Sequence, residues 1–378
     1  MEELRILTRD QVAETKPLWD RVFPEDVPYF SDYYYNYRAQ DNLAYVISED
    51  EDIRSMLHLS TYKMQVQGNK VCDADYIIGV GTDPDYADAD LMDRLMERVL
   101  RDMYRNERPF TYVRSRGRTD FARYGFHYIY DRVEWQLNDK YVVPQMLDYV
   151  SQMNLHTGFW PHQYASLRLS ACHSAHMGEL ANFVNNKLSM SSDVFVQRDE
   201  AYFERLKKEM KSESGNLFTF HDNGRLIGYF ACRIIDGTPI VEEAIVTPEM
   251  LQMDMLNRSL ERMPSVLGRI VNLQAMLELI RLKGQYDDDC SVVLEIRDDI
   301  IPENNGVFGV DFASGGSRLR HTEEAAQASV SIEDLTAFFF GYKDAVECFR
   351  PAEGREEEFF DSINHVAVLH GIHLNEQV

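Results

Sequence analysis

Long apolar runs are missing from this sequence. No stretch approaches the ~18 consecutive apolar residues of a membrane-spanning helix, so no membrane span is expected. Cysteine is scarce. Cys72, Cys172, Cys232, Cys290 and Cys348 are odd in number, far apart and never spaced CxxC. That pattern argues against a disulfide framework or a zinc site and for free thiols in a reducing, cytoplasmic setting. The opening Met1-Glu2-Glu3-Leu4-Arg5 has no basic segment leading into an apolar run, so no secretion signal is expected. Positive charge is in deficit: 39 Lys and Arg face 63 Asp and Glu, for a net charge of −24. Such a surface repels phosphate backbones and anionic lipid, which excludes nucleic acid on a broad basic face and disfavours a membrane surface.

Several chemical signatures are absent too. There is no GxSxG elbow and no Cys-His pattern. Gly79-Val80-Gly81 is followed by Thr82-Asp83-Pro84, where a dinucleotide fingerprint needs a helix to open. The pairs His173/His176 and His370/His373 have no third ligand at a fitting spacing, so no metal is expected. Asp287-Asp288-Asp289 reads as a solvated loop.

What is present is an ordinary globular balance, 44% apolar and 27% charged, over 378 residues, enough for two or three domains. Strands are predicted at Leu4–Leu7, Leu43–Ile47, Ile53–Lys63, Tyr76–Thr82, Phe110–Val113 and Tyr128–Leu137. Between them, Asp26–Arg38 is an aromatic helix. Leu91, Met92, Leu95, Met96, Val99, Leu100 and Met103 make one helical stripe over Leu91–Tyr104. Helices are expected at Ser174–Asn186 and Glu200–Met210. Leu217–Phe220 and Leu226–Ile235 pair across Asp222-Asn223-Gly224. Val241–Val246 then ends at Thr247-Pro248 before a further helix. The order hairpin, strand, Thr-(x)-Pro, helix thus occurs twice, at Thr82-Asp83-Pro84 and at Thr247-Pro248. From about Cys290 short strands with glycine turns take over, and Ser331 caps a helix to Phe340. The fold class is α/β with an α+β last part, divided as 1–140, 141–288 and 289–378.

The run Tyr76-Ile77-Ile78-Gly79-Val80-Gly81-Thr82-Asp83-Pro84-Asp85-Tyr86, followed by Leu91-Met92, resembles the GNAT acetyltransferase superfamily. Leu18-Trp19, Val22-Phe23-Pro24-Glu25-Asp26, Pro109-Phe110-Thr111-Tyr112 and Tyr124-Gly125-Phe126-His127-Tyr128-Ile129-Tyr130-Asp131 narrow it to the enhanced-intracellular-survival (Eis) type. Leu294–Asp298, Pro302–Gly306 and the ending Leu374–Val378 extend the likeness over the whole chain. The resemblance implies two tandem GNAT-like domains, the second without a cofactor loop, then a sterol-carrier-like domain. It implies acetyl-CoA as co-substrate and direct acetyl transfer to a primary amine, in a small molecule or a lysine-containing peptide. A homo-oligomer is expected.

In that scheme the main chain of Val80, Gly81 and Thr82 and the segment Ala87, Asp88, Ala89, Asp90 and Leu91 hold the cofactor, whose pyrophosphate sits at a helix N-terminus. The carboxylate of Val378 is the base. The family's tyrosine acid falls at Phe126, which leaves Tyr128 as candidate acid. Tyr33, Tyr34 and Tyr37 either wall the amine pocket or pack in the core. Arg114, Arg116 and Arg118 border the transfer cleft, for an anionic ligand or for carboxylates of the chain itself. The sequence departs from the family at Ala87-Asp88-Ala89-Asp90, where glycines and an arginine are usual. Two like charges ~4 Å apart repel by roughly 4 kcal/mol at an effective dielectric of 20. Asp88 and Asp90 are also expected to cap the helix and fill the anion site from within. Weak acetyl-CoA binding follows, and with it a second reading: a degenerate GNAT-fold protein that binds a small, possibly anionic, ligand or a partner without transfer.

Overall fold

The structure, a computed structural model, describes residues 2–26, 29–68, 70–87, 89–114, 120–151, 160–284 and 290–376. The first strand is β1 (Glu2–Leu7), followed by helices α1 (Lys16–Val22) and α2 (Tyr29–Tyr33), the latter continued by a π-helical turn, Tyr34–Arg38. Strands β2 (Leu43–Glu49), β3 (Asp52–Val66) and β4 (Lys70–Thr82) then form an antiparallel meander, and β1 pairs on the outer edge of β2. Helix α3 (Leu91–Arg105) crosses back to β5 (Phe110–Arg114), which lies parallel to β4, and β6 (His127–Leu137) follows. The α3 stripe read from the sequence is its buried face, with Leu91, Leu95, Met96, Val99, Leu100 and Met103 against the sheet. On the sheet's other face Trp19 of α1 stacks on Tyr34 at 4.4 Å. Gly79 makes this possible. Its φ is +60°, and a Cβ there would stand 2.3 Å from the Trp19 ring. The same residue marks the register shift opposite Met56/His58 and bends β4.

The second unit holds α4 (Val142–Ser151), β7 (Leu167–Ala171), α5 (Met177–Ser189), β8 (Val194–Val196) and α6 (Glu200–Ser212). Strands β9 (Asn216–Asp222), β10 (Arg225–Ile235) and β11 (Thr238–Val246) complete a sheet in the order β11-β10-β9-β7. The β9–β10 hairpin turns at Asn223 and Gly224, both at positive φ, as an Asn-Gly pair prefers. The helix expected after Thr247-Pro248 is only the four-residue α7 (Pro248–Leu251). Asp254, at φ +54°, stops any continuation, and the fifteen-residue β12 (Leu256–Ile270) begins. Strand β12 leaves the second unit and inserts between β5 and β6, antiparallel to both. The first sheet is therefore finished by a strand that comes 118 residues late, as the chain runs from residue 137 to 256 before closing it. Strand β8 also joins that sheet, on the end of β3.

The remainder comprises α8 (Leu273–Leu279), β13 (Arg281–Leu282), β14 (Cys290–Arg297), β15 (Gly306–Phe312), β16 (Arg318–His321) and β17 (Ala328–Ser331). It continues with α9 (Ile332–Phe339), α10 (Ala345–Cys348), β18 (Arg350–Pro351), α11 (Glu356–Ile363), β19 (Val366–Ala367) and β20 (Ile372–His373). Ser331 caps α9 by accepting the Asp334 amide. The sheet order is β16-β15-β14-β17-β18. The last unit is locked to the first by Arg269 of β12. Its guanidinium, without exposure, donates to Asp298 at 2.6 Å and to the carbonyl oxygen of Tyr124 at 2.6 Å. Finally β20 runs parallel to β8, which returns the C-terminal segment to the first sheet. No helix among the described residues is long and apolar enough to cross a membrane.

Candidate functional site

Strands β4 and β5 share only three rungs, Asp75/Thr111, Tyr76/Tyr112 and Ile77/Val113. Beyond Ile77, β4 runs on to Thr82 against β3 alone, while β5 ends at Arg114 beside Val266 of β12. The two parallel strands thus part, and the β5-facing edge of Ile78–Thr82 has no strand partner among the described residues. Val80 and Thr82 are half-buried on that edge, and Gly81 is buried against Val22 of α1. The Thr82 hydroxyl meets the Ser55 hydroxyl at 2.9 Å, which fixes the strand end.

The following loop is braced from below. Asp83, 2% exposed, accepts from Arg21 at 2.9 Å, from Arg54 at 3.3 Å and from the Asp85 amide at 3.1 Å. Tyr86 donates to Glu49 at 2.5 Å. Ala87, Ala89 and Asp90 are exposed, Leu91 is buried in the α3 core, and Asp88 lies outside the described residues. Asp90 does occupy the N-cap of α3, but the expected capping is not there. Its carboxylate makes no cap hydrogen bond and lies 3.8 Å from Arg94. An aspartate one turn from an arginine can trade the cap for the ion pair, so Asp90 leaves the first α3 amides uncapped.

At the tight end of the gap the rings of Tyr76 and Tyr112 stack at 4.9 Å. The Tyr76 hydroxyl donates to the main-chain oxygen of Glu376 at 3.3 Å, and Tyr202 of α6 donates to the Glu376 carboxylate at 3.3 Å. Glu376 is 5% exposed, and burial raises its pKa. Val378, two residues on, lies outside the described residues.

Beside the end of β5 opens a cavity of about 520 Å³ lined by five carboxylates, Glu25, Asp26, Glu209, Glu213 and Glu242, and three arginines, Arg114, Arg132 and Arg233. Glu242 pairs with Arg132 at 2.8 Å and Arg233 at 2.6 Å, and Glu213 pairs with Arg233 at 3.1 Å. Glu209 is different. It is 6% exposed, and its carboxylate makes no hydrogen bond or ion pair among the described residues. Burial pushes its carboxyl up to about 8, against the pull of Arg38 and Arg114. Arg114 lines the same cavity and acts on the Glu209 carboxyl; Arg116 and Arg118 lie outside the described residues.

Other expected residues are not brought to the gap. Tyr128 stacks on Tyr342 at 6.4 Å from strand β6, and β12 stands between it and β5. Phe126 is buried, and Tyr124 donates to Asp93 at 2.6 Å. Tyr33 donates to the Arg205 carbonyl oxygen at 3.1 Å, and Tyr37 stacks on it under Lys208. Both pack on α6 and neither lines the cavity, whereas Phe30 does. Glu209, Tyr112 and Glu376 were missed in the sequence. The only local hint was a glutamate on the apolar side of α6, next to Met210. No cluster of three or more His, Cys, Asp or Glu able to hold a metal occurs among the described residues.

Residues 3–129 match the family model for an acetyltransferase (GNAT) domain, and residues 273–352 match that for a sterol carrier protein domain. No curated protein matches the chain. Among solved structures, a probable N-acyltransferase from Enterococcus faecalis V583 is 16% identical, covers 98% of each chain and has a TM-score of 0.75. A GCN5-related N-acetyltransferase from Anabaena variabilis is 13% identical over 100% of this chain and 98% of its own, with a TM-score of 0.71. Eis1 from Mycobacterium abscessus is 11% identical over 100% and 99%, with a TM-score of 0.68. At these identities the likeness is one of fold along the full length. The chain is a GNAT-fold, acetyltransferase-like protein that ends in a sterol-carrier-like domain.

Proposed function

We propose that the protein transfers an acetyl group from acetyl-CoA directly to a primary amine of a cationic acceptor, in the manner of Eis-type acetyltransferases. The observation that carries this reading is the parting of β4 and β5 next to a helix N-terminus that Asp90 does not cap and an acidic cavity. The open edge of Val80–Thr82 and the amides of Leu91, Met92 and Asp93 would hold acetyl-CoA by main-chain contacts, which no side chain of the loop blocks in the described part. Acetyl-CoA supplies the activated acyl group. The carboxylates of Asp85 and Asp90 lower its affinity without closing its place.

The acceptor's positive charge is met by the cavity, where Glu209 has no competing partner. The proton released by the attacking amine passes to the carboxylate of Val378, two residues along the chain from Glu376, whose main-chain oxygen accepts from Tyr76 at the gap. The experiment is steady-state release of CoA thiol by the full chain with acetyl-CoA and a panel of amines: a polyamine, an amino sugar and a blocked lysine peptide. Turnover that rises with acceptor charge is expected. Equal rates with a neutral hydroxylamine-type or alcohol acceptor, or none with any amine, would overturn the reading.

A further inference from the structure

The repeat legible in the sequence has a structural consequence in the second unit. Hairpin β10–β11, Thr247-Pro248 and α7 follow the order of β3–β4, Thr82-Asp83-Pro84 and α3. Where β4 parts from β5, β11 faces β6. Strand β11 ends its sheet and pairs only with β10, and β6 ends the larger sheet and pairs only with β12. Between these two edges lies a cavity of about 640 Å³. Five consecutive residues of each strand line it, Ile129–Val133 and Glu242–Val246. Successive side chains of a strand point to opposite faces, so an unbroken run of lining residues means that the cavity is bounded by the strand edges, where main-chain amides and carbonyls are exposed.

The charges of the lining are sorted. Every carboxylate there is engaged. Asp131 accepts from Tyr342 at 2.7 Å, and Glu242 is held by Arg132 and Arg233. Glu243 pairs with Arg198 and with His373; burial alone would raise it, yet these partners hold it at about 2. The side-chain cations of Lys187, Arg258 and Arg262 instead make no ion pair or hydrogen bond among the described residues, and both arginines are exposed. Lys187 is drawn toward Glu249, whose carboxyl it helps to hold down, but two exposed arginines without an ion pair at one cavity are conspicuous in a chain of net charge −24.

We propose that the cavity between β6 and β11 binds an extended, amide-containing anion of the phosphopantetheine class, its amides along the two strand edges and its phosphate at Arg258 and Arg262. Asn375 already occupies the Glu242 carbonyl oxygen at 2.6 Å and Arg132 that of Val241 at 3.2 Å, so the ligand's amides match the rest of the two edges, which no strand pairs. The phosphate matches the cations, and the volume lies within the usual range of small-molecule sites. This site is separate from the β4–β5 gap and does not depend on acetyl transfer.

The test is calorimetric titration of the full chain with 4′-phosphopantetheine, with inorganic phosphate and with palmitate, for the wild type and for Arg258→Ser/Arg262→Ser. Both arginines are exposed, so the variant should keep the wild-type melting temperature. Because neither touches the β4–β5 gap, any phosphopantetheine bound there is retained in the variant and is subtracted. Phosphopantetheine binding that weakens at least about tenfold in the variant is expected, with far weaker binding of phosphate. Unchanged affinity in the variant, or no binding, would overturn the site. Phosphate binding as tightly as phosphopantetheine, or arginine-dependent binding of palmitate alone, would overturn the ligand class.

Discussion

The hydroxyl of Tyr76, in the fourth strand, donates at 3.3 Å to the main-chain oxygen of Glu376, 300 residues further along the chain. The C-terminal segment is thereby seated at the point where β4 and β5 begin to part. Tyr76→Phe should lower kcat for acetyl transfer by about tenfold while removing only about 1 kcal/mol of stability, the usual worth of one hydrogen bond. A two-residue extension after Val378 should lower kcat by about 10² or more, the scale of a lost general base. Steady-state kinetics and a thermal melt of each variant check both; full activity in the extended protein would remove Val378 from the mechanism.

Glu209 should make acceptor binding depend on pH. Its carboxyl, at about 8, gains charge as pH rises through that value. KM for a cationic acceptor should therefore fall from pH 6.5 to pH 9 in the wild type. In Glu209→Gln it should stay high, about tenfold above wild type at pH 9 and within about twofold at pH 6.5. Stability moves the other way. Between 4.5, the ordinary glutamate value, and about 8 the folded state holds the extra proton, so the fold loses stability as pH rises through that range. Glu209→Gln should melt above wild type at pH 9 and alongside it at pH 4.5. A variant less stable than wild type at pH 9 would contradict this.

Much of this architecture could be read locally. The α3 stripe, the Asn223-Gly224 hairpin and the Ser331 cap each depend on residues within a few positions of one another, and all three are found. Strand β12 could not be read. Asn257, Arg258, Leu260, Glu261 and Arg262 are exposed, and only Leu256 and Val266–Ile270 are buried, so its sequence has neither period nor apolar content over most of its length. Its place is set by two strands more than a hundred residues earlier. Glu209 was hidden for a similar reason. Its burial is created when α6 docks on the first unit, and within α6 only its place beside Met210 on the apolar side hints at it. The Asp90 cap was misjudged because Arg94 competes for the same carboxylate.

The acidic cofactor loop should act through charge alone. Asp90 makes no cap, so Ala87→Arg/Asp90→Gly should shift the melting temperature by no more than about 2 °C. It should tighten acetyl-CoA about tenfold or more, since each charge-assisted contact to phosphate is worth roughly 1.5–3 kcal/mol. Calorimetric titration checks this, and an unchanged affinity would mean that the pyrophosphate does not approach α3.

His58 should set the acid limit of the fold. It is fully buried, takes a 2.7 Å hydrogen bond with Tyr34 and is pushed down to about 3 by burial. The unfolded chain takes up this proton near 6.5, so the stability His58 contributes is complete above that pH and is lost progressively as pH falls toward 3. His58→Gln should flatten the melting temperature between pH 6.5 and 4 relative to wild type. An identical slope in the two proteins would assign the acid sensitivity elsewhere.

Direct transfer is tested most plainly by a single turnover. The full chain is mixed with acetyl-labelled acetyl-CoA and a polyamine, quenched in acid, and the label is followed in amine and protein. All transferred label should appear in the amine, at a rate no slower than kcat, with none on the polypeptide. Label held covalently on the protein, or label remaining in acetyl-CoA after many turnover times with every cationic amine, would contradict acetyl transfer at the β4–β5 gap.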